Sequence, residues 1–291
     1  MLGKLMNLLG EPAKIGDGEK KCEGEPVYRE LASAEAGLLP GMPAELAEEE
    51  RRLEEALPEE WLLQVRETVL RGNPELTEEK YSWMERELKR HFLLIGLLRR
   101  VSLYSAEAGL IWRELALFEQ EYQQFCERYA GYYMQVQAAV PAPSPSPSAD
   151  SAERACFELL YMLLFPVEAE NELLLGPFNL HTLSPQLLEE LHDRGQPLCG
   201  ELGFAETSHE SRAAVAESLT SSLRDRLEAA RECSAARRLP EPHASDPATV
   251  LLTRSLAGEG FPFDADEQLD APKAEHGRLG AARASQKGPR P

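Results

Sequence analysis

The chain has 291 residues and carries 31 Lys and Arg against 50 Asp and Glu, a net charge of −19. At 43% hydrophobic and 28% charged it can bury a core beneath a strongly acidic surface. The longest charge runs are acidic, which excludes the basic stripe that phosphate-backbone binding needs, so a nucleic-acid partner is not expected.

Residues 1–43 carry Gly and Pro without sustained periodicity and read as a disordered arm. From Ala44 to Leu57 the text is Glu-rich, with Leu46, Leu53 and Leu57 on one side of a helix. Pro58 suits the first turn of a second helix, striped by Trp61, Leu62, Val65 and Val69, and Asn73-Pro74 breaks the chain after it. Thr77 is a good N-cap, and Glu78 and Glu79 place negative charge at the positive end of a helix dipole. Tyr81, Met84, Leu88, Phe92, Ile95 and Leu98 then recur at three- and four-residue spacing, predicting an amphipathic helix to about Arg100.

Ser105 can cap a further long helix. In it Ile111, Leu115, Phe118, Tyr122, Phe125, Tyr129 and Tyr132 form one continuous aromatic-rich face. Residues 140–150, rich in Pro and Ser, predict an extended linker inside the domain. A helix follows from Ser151, with Cys156, Leu159, Leu160, Leu163 and Leu164 inward, and Pro166 ends it. Leu173 to Thr182 reads as a packed loop, and Ser184-Pro185 opens a short helix with Leu187, Leu188 and Leu191 as its apolar side. Thr207 and Glu210 have capping-box spacing for one more helix, with Val215, Leu219, Leu223 and Leu227 at four-residue intervals, fraying by Arg238. The remainder, 239–291, reads as a disordered tail with at most a helical turn near Val250 to Leu256. No strand pattern appears, so the expected fold is an all-α helical bundle over 44–238.

Candidate chemistry is sparse. The five cysteines (Cys22, Cys126, Cys156, Cys199 and Cys233) are dispersed, which fits neither a disulfide framework nor a zinc knuckle and suits a reducing compartment, the cytoplasm. The longest internal apolar run, Phe92 to Leu98, falls far below the ~20 residues of a membrane span. The stretch Met1 to Leu9 is too short for a signal sequence, although a local helix there could touch a membrane surface. Glu-x-x-His occurs at Glu189…His192 and Glu206…His209, a spacing used by di-iron bundles. The second copy straddles the cap at Thr207, and both read as chance pairs in an acidic chain. Glu87…His91 reads as a surface pair one helical turn apart. The acidic run Glu48 to Glu60 could meet a basic partner but reads as a solvated helix face. Neither Gly16-Asp-Gly18 nor Gly258-Glu-Gly260 has the context of a phosphate loop.

One block carries a resemblance. The text Ile111-Trp-Arg-Glu-Leu-Ala-Leu-Phe-Glu-Gln-Glu-Tyr-Gln-Gln-Phe-Cys-Glu-Arg-Tyr-Ala-Gly places Trp112, Tyr122, Phe125, Cys126 and Gly131 in a recognisable order and spacing. It resembles the glycine-rich domain-containing protein-like family, especially its compact bacterial members, over about 80–195, with Leu175-Gly-Pro-Phe-Asn-Leu-His as a second similar stretch. The resemblance implies an Asp and a His flanking Trp112 and a His pair beyond Gly131, residues that could supply a metal or polar site. Here those positions are Gly109, Arg113, Gln135 and Val136, and the Gly-rich tail is absent. None of these replacements is an imidazole or carboxylate donor, so any such site is expected to be lost.

Trp112, Tyr122, Phe125 and Tyr129 could line a ligand pocket, but their period assigns them to the core. Cys126 falls beside that stripe with no basic group patterned to activate it, so it reads as a buried small residue. No catalytic, cofactor-binding or metal-ligating set is expected. The expectation is a non-catalytic helical protein that binds a protein partner or a second copy of itself. The alternative is a metal- or small-molecule-binding enzyme, degenerate at the family's His positions.

Overall fold

The computed structural model describes residues 27–144, 148–193, 204, 210–236 and 246–258. Among them are ten helices and no strand: α1 (Ala44–Ala56), α2 (Glu59–Gly72), α3 (Glu78–Leu97), α4 (Ala106–Leu117), α5 (Glu119–Tyr129), α6 (Ala149–Leu164), α7 (Ala169–Leu175), α8 (Pro185–His192), α9 (Glu210–Ala235) and α10 (Pro247–Ala257). Several helices start where a polar side chain satisfies one of their first free N–H groups, whereas α1, α2 and α5 start without a side-chain cap. Thr77 accepts from the Lys80 amide, Ser105 from Ala108, Ser148 from Ser151 and Ser184 from Leu187. No helix among the described residues is long and apolar enough to cross a membrane.

Two helices form the centre. Each of α3 and α6 is buried around nearly its whole circumference, not along a single stripe. Helices α1, α2 and α4 pack round α3, and α9 lies against α1 and α10. The stripes read from the sequence point inward as expected on α1, α2, α3, α6 and α9, where Leu46, Trp61, Phe92, Leu160 and Leu219 are all buried.

Five expectations need correction. The long helix from Ser105 is broken at Phe118, which ends α4 and starts α5 at φ −86 and ψ 70. Beyond the break the stripe stops at Tyr129, and Tyr132 is 54% exposed. The packed loop at Leu173 to Thr182 begins inside a further helix, α7, which opens on a capping box between Glu168 and Asn171. The turn near Val250 is a full helix, α10, whose Leu251 and Leu252 are buried against α6 and α9. The supposed surface pair Glu87 and His91 is buried, because α3 is enclosed on that side too.

The expected arm divides. Residues 1–26 lie outside those described, as do Glu206, Thr207 and His209 and the tail beyond Gly258. Residues 27–43 are non-helical and strapped to the bundle. The Trp83 indole donates to Arg29 O at 2.8 Å, Arg90 Nε donates to Ala36 O at 2.7 Å, and the Leu39 amide donates to Leu164 O at 2.9 Å.

Between α3 and α6 lies a polar knot. The Arg90 guanidinium donates to Tyr161 Oη at 2.5 Å, Tyr161 Oη sits 2.8 Å from both oxygens of Glu87, and Asn171 donates to Glu87 at 2.7 Å. Burial pushes the Glu87 carboxyl above its ordinary range, against the pull of Arg90. Beside it His91 Nε2 is buried without a hydrogen-bond partner, and burial lowers this imidazole from 6.5 to about 3. The folded chain therefore refuses a proton that the unfolded chain takes up below 6.5. Stability attributable to His91 is full above pH 6.5 and falls as pH drops toward 3, by up to about 1.4 kcal/mol per pH unit. Urea midpoints of the wild type and His91→Leu, measured at pH 7 and pH 4.5, should diverge in that direction, the wild type losing more.

Close packing can be tested at Gly96. A Cβ there would stand 2.7 Å from Tyr129 Oη, whose hydroxyl donates to Phe92 O at 3.0 Å and whose ring stacks on Phe125. Gly96→Ala gains about 1 kcal/mol of helix propensity, but crowding a hydroxyl that cannot swing costs about 1–3 kcal/mol. A net loss in the denaturation midpoint is expected.

Candidate functional site

The five positions of the family-like block form one structural clasp. Trp112 on α4 is fully buried and donates its indole N–H to Tyr122 Oη on α5 at 2.7 Å. The Tyr122 hydroxyl in turn donates to Met134 O at 2.6 Å, and the Met134 amide donates to Cys126 Sγ at 3.4 Å. Phe125 fills the space between Phe92, Trp61 and Tyr129, with ring centroids 5.1, 6.2 and 5.9 Å away. Gly131, at φ +78, takes the left-handed turn that ends α5, its amide donating to Cys126 O at 3.0 Å. Burial pushes the Cys126 thiol up, away from the reactive thiolate. Trp112, Tyr122, Phe125 and Cys126 are buried, and Gly131 is an exposed turn that closes α5.

The clamp aims residues 132–137 at the end of α3. There α3 ends at Leu97, and Leu98 to Tyr104 cross to α4 in a non-helical connection. Between the two segments lies a cleft of about 440 Å³, walled by Ile95, Val101 and the buried Trp112, with Tyr132 and Tyr133 on one rim and Arg99 and Arg100 on the other. Tyr133 is 59% exposed, though its ring packs edge-on to Tyr122. Among the described residues, no carboxylate lines the cleft. On the far side of the same connection, against α6, is a second cavity of about 250 Å³, which shares Leu98, Arg100, Val101 and Ser102.

The positions of the family's His residues fall partly here. Gln135 lines the cleft, whereas Arg113 is exposed and is not part of its wall; Val136 is half-buried and Gly109 buried. An amide and a guanidinium at these places offer hydrogen bonds and charge, not imidazole nitrogens. The Glu189…His192 pair is exposed, with His192 Nδ1 2.6 Å from Arg231 Nη1. No group of three His, Cys, Asp or Glu suited to a metal occurs among the described residues. Within the acidic run Glu48, Glu55, Glu59 and Glu60 face solvent, but Glu49 is buried and accepts from Arg52 and Arg212 at 2.6 and 3.0 Å. Cys126, Cys156 and Cys233 form no disulfide.

The clefts themselves escaped the sequence reading, because the Arg99–Arg100 pair reads there only as a helix C-terminus and Tyr132 as the last residue of a core stripe. No family model matches the chain, and no curated protein or solved structure matches it.

Proposed function

We propose that the protein is a non-catalytic binding module whose cleft between Arg99–Ser102 and Tyr132–Gln137 takes an acidic, partly apolar segment of a protein partner. The observation that carries this reading is charge contrast. In a chain of net charge −19, the described residues of this cleft include two arginines and two exposed tyrosines and no carboxylate. Tyr, Trp and Arg are the residues on which binding energy concentrates, and a like-charged partner would be steered elsewhere. The resemblance of the Trp112–Gly131 block to the glycine-rich domain-containing protein-like family supports a shared scaffold, and of the positions where that family has His, Gln135 lines the cleft. The dispersed thiols suit the cytoplasm as the place of action.

Selection of random displayed peptides on the full chain tests the reading. Enriched peptides should pair Asp or Glu with an aromatic or aliphatic residue. Arg100→Glu and the double variant Tyr132→Ser/Tyr133→Ser should each weaken the best peptide at least tenfold, with helical content unchanged because these side chains lie outside the core. Enrichment of basic peptides, no enrichment at all, or undiminished binding to both variants would refute it.

A further inference from the structure

The geometry points to a second site, for a small apolar monocarboxylate, in the cavity of about 250 Å³ between α6 and the connection that follows α3. Its inner walls are Leu98, Val101, Phe157 and Leu160, which can give water few hydrogen bonds in return for ordering it. Pockets of this kind take apolar bodies, and a few polar groups at one end fix the orientation. The charged residues of the lining are Arg100, for which no hydrogen-bond or ion-pair partner is found among the described residues, and Glu153, whose carboxylate accepts from the Ser102 hydroxyl. One guanidinium with an open fork matches one carboxylate in bidentate geometry. The neighbouring Glu153 charge opposes every anion, and a dianion such as a phosphate monoester about twice as strongly, so among anionic head groups a monoanion is the better fit to Arg100. Ala152 and Leu160 belong to α6 and line this cavity and not the partner cleft, whereas Leu98, Arg100, Val101 and Ser102 line both, so only variants outside that shared wall separate the two sites.

Calorimetric titration of the full chain with octanoate, 1-octanol and octylamine, each below its aggregation threshold, tests the assignment. Octanoate should bind saturably at one site, with octanol and octylamine at least tenfold weaker. Arg100→Gln, at an exposed position that the core does not need, should weaken octanoate at least tenfold. Ala152→Phe, which fills the cavity, should abolish binding. Absence of saturable octanoate binding, equal affinity for octanol or octylamine, or unchanged binding in Arg100→Gln would overturn the site, as would unchanged binding in a folded Ala152→Phe. The tyrosine double variant should bind octanoate normally, which separates failure of this site from failure of the peptide cleft.

Discussion

Trp112→Ala is expected to cost about 3–5 kcal/mol, the range for emptying a large aromatic site in a close-packed core. Against a total of about 5–15 kcal/mol for a typical domain, that is enough to unfold much of the population near physiological temperature. The reason is local and specific. The indole is fully buried, stands edge-on to Phe92 at 5.2 Å and to His91 at 5.5 Å, and donates to Tyr122 Oη. Truncation opens a void between α3, α4 and α5 and removes the donor that orients the Tyr122 hydroxyl toward Met134 O. Trp112→Phe, which keeps most of the volume and loses only the N–H, should cost markedly less. Thermal and urea unfolding followed by circular dichroism reads both. A Trp112→Ala protein with an unchanged melt would mean that the ring serves the cleft and not the core.

The helical period exposed most of this fold, since each amphipathic stripe maps directly onto a buried face. What it did not expose has physical causes. The break at Phe118 has no Gly or Pro to announce it, and its only local trace is Glu119 and Glu121, negative charges that favour a new helix N-terminus there. Helix α10 lies between weak flanks, and its stability comes from burying Leu251 and Leu252 against α6 and α9, a tertiary contribution that local text does not carry. Glu87, Arg90 and His91 sit on what a one-stripe reading assigns to solvent, and only the wrapping of α3 from all sides buries them. The Trp112, Tyr122, Phe125, Cys126 and Gly131 positions were readable as a unit. The cleft they position was not, because Arg100 and Tyr133 acquire their relation only when the chain folds back through Gly131.

The second large effect is expected at Glu158, inside α6. Its carboxylate accepts from Arg154 Nε at 2.8 Å and from the Asn179 amide at 3.0 Å, and it lies 2.7 Å from His181 Nδ1. His181 Nε2 in turn sits 3.0 Å from Pro143 O, so one side chain ties α6 to the loop after α7 and, through the imidazole, to the Pro/Ser segment. The Arg154 guanidinium is fully buried, stacked near Tyr104, Phe157 and Phe178 at 4.6, 5.0 and 5.3 Å, and its two terminal nitrogens have no hydrogen-bond partner. The aromatic faces soften the cost of that charge, but Glu158 is the counter-ion that makes burial tolerable. Glu158→Leu strips it away and should cost about 3–5 kcal/mol. Adding Arg154→Met removes the stranded charge as well and should recover at least half of the loss, since an apolar pair of similar volume is often neutral in place of a buried ion pair. Denaturant midpoints of the single and double variants decide the matter. A single variant that loses less than about 1 kcal/mol, or a double variant no more stable than the single, would show that packing and not charge pairing holds this side of α6.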